Sequence, residues 1–255
     1  MNVNSNCRVR ASFRLIPVLA VITSLPAPAQ MVGTKAVFVS DGKSVVIEQY
    51  NPATNGSHPA VMVVHGGGGP DGDWRKSGLF EALTAAGYSV FVPHYFDGKG
   101  GQWDRSNKPD QFFDYIRTLN DAARYIGRQP DVKNSGIGLV GFSLGGYLVL
   151  GFAEEVRSHP PLLHPPEIKA VVEMYGGMPD FAVSRMTTMP PTIILHGEDD
   201  NVVPVSRAYD TEEALRKKGV SYEIKVYSHQ GHGFSGDALK DANERTISFL
   251  KAHLQ

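Results

Sequence analysis

Cysteine is almost absent from this chain: 255 residues contain one, Cys7. That excludes a disulfide framework and any multi-cysteine zinc or iron–sulfur site. Charge of either sign is not in excess, with 25 Lys and Arg against 26 Asp and Glu. A net charge of −1 gives no electrostatic reason to expect nucleic acid or an anionic membrane as a partner. Glycine and proline, 27 and 17 residues, stay below the range of disordered or collagen-like chains. The sequence also lacks an internal repeat, a low-complexity tract and a linker that would split it. Its length is enough to bury a sizeable core without covalent staples.

The N-terminus reads as an address. Residues Met1 to Gln30 hold no Asp or Glu, but carry Arg8, Arg10 and Arg14 ahead of the apolar run Leu15 to Leu25. That run is about 11 residues, where an ordinary membrane span needs about 20. With Ala27-Pro28-Ala29 behind it, the pattern predicts a Sec-type signal peptide over residues 1–29, cleaved after Ala29, and a domain over 30–255. An uncleaved anchor or a buried helix is the alternative. Cleavage would place the protein in the periplasm or outside the cell, with no remaining membrane association. It would also remove Cys7, so the mature chain would have no thiol nucleophile.

Downstream, strand-like and helix-like segments alternate. Thr34–Ser40 and Ser44–Tyr50 flank Asp41-Gly42, a hairpin signal. Ala60–Val64, Tyr88–Val92, Gly138–Phe142, Ala170–Tyr175, Thr192–Leu195 and Ser221–Tyr227 read as further strands, several apolar throughout. Helical segments are expected near Trp74–Ala86 and over Gln111–Ile126, Leu144–Val156, Ser206–Lys218 and Leu239–His253. The expected class is α/β: a mostly parallel central sheet with helices on both faces and an antiparallel N-terminal edge.

Three loops carry chemistry. Gly141-Phe142-Ser143-Leu144-Gly145 joins a buried strand to a helix, which suits a nucleophilic serine on a sharp turn; Ser143 as a helix N-cap is the structural alternative. His196 to Pro204 follows the next-to-last parallel strand and offers Glu198, Asp199 and Asp200 as carboxylates that could orient an imidazole. The Asp-x-Val-Val-Pro turn favours Asp200. Gly231-His232-Gly233-Phe234 follows the last strand, and its glycines let His232 approach the serine as general base. His229 lacks those flanks and is the weaker candidate.

His65-Gly66-Gly67-Gly68-Gly69 ends another buried strand. No Lys-Ser/Thr pair follows, which argues against a phosphate-binding loop. An oxyanion hole fits better, with one donor from the Leu144 N–H and the other from Gly66 or Gly67, which the sequence does not separate. His65 is either a polar pocket wall or a buried strand-end histidine. No cofactor or metal is called for.

Gly141 to Gly146, His196-Gly197 with Asp200 and Val203-Pro204, and Gly231 to Phe234 together resemble the dienelactone hydrolase family of α/β-hydrolases over about residues 58–250. The order Ser143, Asp200, His232 is that of the α/β-hydrolase fold. The resemblance implies a metal-free hydrolase, monomeric or weakly dimeric, acting on a small-molecule ester or lactone. Two departures stand out. Family members proper have a cysteine nucleophile where this chain has Ser143. They also have a glutamate at the end of the strand that here leads to His65. Both move the reading towards a serine carboxylic ester hydrolase. The other readings are an acyl-peptidase-like hydrolase and a non-catalytic binding protein.

The loops Gly69–Lys76, Phe96–Asp104 and Gly176–Met189 are expected at the open edge. They and their flanks carry Trp74, Tyr95, Phe96, Trp103, Tyr175, Met178 and Phe181 as candidates for an apolar pocket. Asp71, Asp73 and Asp97 in these loops read as solvated turn residues.

Overall fold

The computed structural model describes residues 33–99, 109–158 and 165–254. The expected signal peptide and Trp103 lie outside the described residues. The opening β-branched runs form β1 (Thr34–Ser40) and β2 (Lys43–Tyr50), antiparallel across a two-residue turn in which Asp41 and Gly42 both have positive φ. Then follow β3 (His58–Val64), α1 (Leu79–Ala85), β4 (Ser89–Pro93), α2 (Pro109–Ile126), β5 (Val132–Phe142) and α3 (Leu144–Ser158). The chain continues with β6 (Ile168–Met174), α4 (Asp180–Arg185), β7 (Thr192–Gly197), α5 (Ser206–Lys217), β8 (Tyr222–Tyr227) and α6 (Gly236–Leu254).

The eight strands make one sheet in the order β1-β2-β4-β3-β5-β6-β7-β8. Pairing is antiparallel from β1 to β4 and parallel from there on. Side chains of β3 alternate between two cores. Val61 and Val63 pack with Leu79, Leu83, Phe249 and Leu250 from α1 and α6, while Met62 and Val64 pack with the layer of α2, α3 and α5. Burial on both faces is why this strand reads as an unbroken apolar run. β4 and β5 flank β3 on opposite sides, so the loops leaving the carboxyl ends of β3 and β5 diverge and open a crevice there.

Two expectations change. The helix expected near Trp74–Ala86 is two pieces: a 3-10 turn at Asp73–Ser77, then α1. Gly78, at φ 71°, turns the chain between them, a conformation glycine adopts without steric cost. The segment Gly176–Met189, read as loop, contains α4, a six-residue helix too short to show a helical period. Its Phe181 ring packs on Phe112 and Phe113 of α2.

Candidate active site

Ser143 sits between β5 and α3 at φ 56°, a left-handed conformation that is unusual for a residue with a side chain. Its N–H donates to the Met174 carbonyl at 2.9 Å, and its own carbonyl accepts from the N–H groups of Gly146 and Tyr147. The turn is closed by contact with β3: a Cβ on Gly145 would overlap the Val64 carbonyl oxygen. The helix therefore starts against the strand end, with the Leu144 N–H among the four that have no intrahelical acceptor. Gly66 lies on the other side of Ser143, where a Cβ would stand 3.2 Å from the Ser143 Cβ.

The loops after β7 and β8 bring the other two residues in. Glu198 and Asp199 donate their backbone N–H groups to the carbonyls of Tyr227 and Gln230, which locks the two loops together. His232 Nε2 then lies 2.8 Å from Ser143 Oγ, and His232 Nδ1 lies 2.8 Å from Asp200 Oδ2. A carboxylate is acceptor-only, so Nδ1 carries the proton and Nε2 accepts from the serine hydroxyl. Asp200 is buried, and its Oδ1 accepts the N–H groups of Val202 and Val203, each at 2.8 Å. These bonds hold the Asp200 carboxylate at the start of the Val-Val-Pro turn, facing His232.

The competing residues are elsewhere. Glu198 and Asp199 are exposed, and the 91% exposed His229 side chain faces Asp199 at 3.8 Å. His196 is buried beside the acid: its Nε2 donates to the Val203 carbonyl and lies 3.5 Å from Asp200 Oδ2. Burial lowers its pKa, and the neighbouring His232 adds to the effect. His65 is the buried strand-end histidine rather than a pocket wall. It stacks on Tyr95 at 4.1 Å, and burial pushes its pKa down to about 3 despite its hydrogen bond with Gly66.

A cleft of about 650 Å³ opens over Ser143 and His232. Gly66, Gly67, Trp74 and Tyr175 line it, as does Phe234, which sequence reading missed. Tyr95, Phe96 and Met178 do not; they are buried in the core between the sheet and α2, α3 and α4. Of the three aspartates read as solvated, Asp71 and Asp73 are, but Asp97 accepts the Val46 N–H at 3.1 Å.

Two further groups went unnoticed in the sequence. Glu173 interrupts the apolar strand β6 and is fully buried. One carboxyl oxygen accepts the Gly176 N–H and lies where a Cβ on Gly146 would come within 3.0 Å; the other has no partner among the described residues. Burial pushes this carboxyl up to about 8, against the Gly176 hydrogen bond and assisted by the charge of Asp200. The signal was present: one acid in the run Val171-Val172-Glu173-Met174. The second group is Glu48, buried on β2. It accepts from His94 (2.8 Å), Tyr50 (2.5 Å) and Arg75 (2.8 Å). Burial alone would raise its pKa, yet these bonds hold it well below the usual carboxylate range. No spacing in the sequence links Glu48 to Arg75 or His94. Among the described residues no cluster of three or more His, Cys, Asp or Glu is arranged to hold a metal ion.

A parallel sheet that reverses its winding at β3, with a serine on the turn after β5 and an acid and a histidine after β7 and β8, defines an α/β-hydrolase fold. Residues 47–254 match the profile of the Dienelactone hydrolase family, and the chain belongs to that family; it is a hydrolase. It is 29% identical over 243 residues to a carboxymethylenebutenolidase homolog of Xenopus tropicalis, covering 89% of this chain and 92% of the relative. Among solved structures, a dienelactone hydrolase of Anabaena variabilis aligns with a TM-score of 0.70 at 20% identity, over 89% of this chain and all of the other. An acylaminoacyl peptidase of Pyrococcus horikoshii aligns at 0.69 and 14% identity, over 87% of this chain and 41% of that one. At these identities the structural matches concern the fold alone.

Proposed function

We propose that the protein is an exported serine hydrolase that cleaves carboxylic ester or lactone bonds through an acyl-serine intermediate. The observation that carries the reading is the continuous hydrogen-bonded chain Ser143–His232–Asp200 at the mouth of the cleft. Ser143 Oγ attacks the carbonyl carbon while its proton passes to His232 Nε2, and Asp200 stabilises the imidazolium that results. The carbonyl oxygen takes up the negative charge against the Leu144 N–H and a backbone N–H of Gly66 or Gly67. Collapse breaks the bond to the alcohol oxygen, which takes the proton from His232 as it leaves. Water, deprotonated by His232, then attacks the acyl-serine and releases the acid, and the proton returns to Ser143.

Placing Ser143 on the strained turn orients its Oγ before substrate arrives, and the Asp200 bond fixes the histidine tautomer. Ser143→Ala is expected to lower turnover of para-nitrophenyl acetate by at least about a thousandfold while the variant stays folded. Unchanged turnover in a folded variant would remove Ser143 from the mechanism. Export rests on the basic, apolar and Ala-x-Ala pattern of residues 1–29, and predicts Gln30 as the N-terminal residue of the secreted protein. A secreted form that begins at Met1 would contradict it.

A further inference from the structure

Four aromatic side chains line the cleft, and the charged side chains described there are paired. Trp74 lies 5.5 Å from Phe142 between ring centroids, Phe142 lies 5.9 Å from Tyr175, and Tyr175 lies 5.4 Å from Phe234. These four rings form an unbroken chain of contacts among the residues that line the cleft with Ser143, and Tyr175 also meets the His232 ring edge-on at 5.0 Å. Leu239 of α6 and Asn243 also line the cleft, and the Asn243 side chain donates to the Ser77 carbonyl at 2.8 Å.

Among the described residues, the cations near the cleft are engaged. The Arg75 guanidinium lies over the Trp74 ring at 5.0 Å and is drawn to the buried Glu48 carboxylate at 2.8 Å. Its Nε donates to the Pro70 carbonyl, and its remaining contacts include the Tyr50 hydroxyl. Lys76, at the rim, is paired with Asp73 at 2.7 Å. His229, also among the lining residues, faces Asp199 at 3.8 Å. A substrate carboxylate entering this cleft would lose water against aromatic faces and gain no free cation among the described residues.

We propose that the cleft selects uncharged esters carrying an apolar or aromatic group, and discriminates against esters that carry a carboxylate on the part lodged between Trp74 and Phe234. This rests on the reading of Ser143 as nucleophile, and it narrows that reading to a substrate class. Glu48 contributes to the discrimination: it holds Arg75, which lies over the Trp74 ring, in an ion pair on β2, and among the described residues no guanidinium lines the cleft.

The test uses two matched pairs, so that either end of the ester is probed. One pair is phenyl octanoate and the monophenyl ester of octanedioic acid, which differ by a terminal carboxylate on the acyl chain. The other is methyl para-acetoxybenzoate and para-acetoxybenzoate, which differ by a carboxylate on the leaving group. The neutral member is expected to be favoured by at least about tenfold in kcat/KM in the pair whose variable group enters the cleft. Leu239→Arg, which adds a cation to the cleft lining, is expected to shrink that ratio by at least about threefold while fluorophosphonate labelling of Ser143 persists. Parity or a preference for the carboxylate in both pairs overturns the proposal, as does a ratio unmoved in the labelled Leu239→Arg enzyme. Absence of both turnover and Ser143 labelling in the native enzyme would instead defeat the nucleophile assignment, and the substrate class with it.

Discussion

At the scale of single residues, the buried carboxyl of Glu173 stands apart because it lies against the start of α3 beside Ser143 and bonds instead to the Gly176 N–H. It ionises near 4.5 in an unfolded chain and at about 8 in the folded one. Between those values the folded state holds a proton that the unfolded state has lost, so the native protein loses stability as pH rises from 4.5 to 8. Glu173→Gln removes that titration. Its stability relative to the native chain is therefore expected to improve between about pH 5 and pH 9, by an amount on the order of a few kcal/mol. Urea unfolding of both proteins at the two pH values measures this; a difference that does not change with pH would contradict it. The meeting of Ser143, Asp200 and His232 in one hydrogen-bonded row was legible in the sequence because each sits in a loop whose glycines or turn residues serve its geometry. Glu173 was legible only as an anomaly, a lone acid in an apolar strand. Glu48 was not legible, since its partners Arg75 and His94 meet it only through folding.

Among the elements, the 3-10 turn Asp73–Ser77 matters most to the cleft, because it carries Trp74. A stretch this short has little helical cooperativity of its own and is held by outside contacts. Trp74 Nε1 donates to the Gly69 carbonyl at 3.1 Å, and Arg75 ties the turn to Glu48 on β2. Arg75→Ala would leave Glu48 buried with His94 and Tyr50 as its close partners. The expected loss is about 2 kcal/mol of unfolding free energy, with a larger rise in KM than fall in kcat for aryl esters. Thermal or urea unfolding and steady-state kinetics check both parts; an unchanged stability would show that the ion pair does not hold the turn. The sequence reading made one helix of Trp74–Ala86 because apolar residues recur through it, and missed that Gly78 divides it. It overlooked α4 for the opposite reason, since six residues span fewer than two turns.

For the whole molecule, the sheet was readable because parallel strands covered on both sides carry short apolar runs, at 60–64 in β3, 137–142 in β5, 170–172 in β6 and 193–195 in β7. The order of strands was not readable. It depends on which neighbours pair across the sheet, and that pairing places β4 and β5 on opposite sides of β3 and so opens the crevice. The sorting of aromatic residues was equally hidden: Tyr95 and Phe96 turn into the core, whereas Trp74, Tyr175 and Phe234 line the cleft. Sequence spacing gives the loop on which a side chain sits, but not the direction it faces. The parts combine into one arrangement. The sheet brings three loops to one edge, the Gly145 contact with β3 fixes the serine, and two backbone hydrogen bonds join the acid loop to the histidine loop.

The central claim is that Ser143 is a nucleophile activated by His232. A fluorophosphonate probe followed by peptide mass mapping tests it most directly. The account predicts a single phosphonylated residue, Ser143, with labelling slowed by at least about a hundredfold in His232→Ala. A probe adduct on a different residue, or labelling of Ser143 at an undiminished rate without His232, would contradict it.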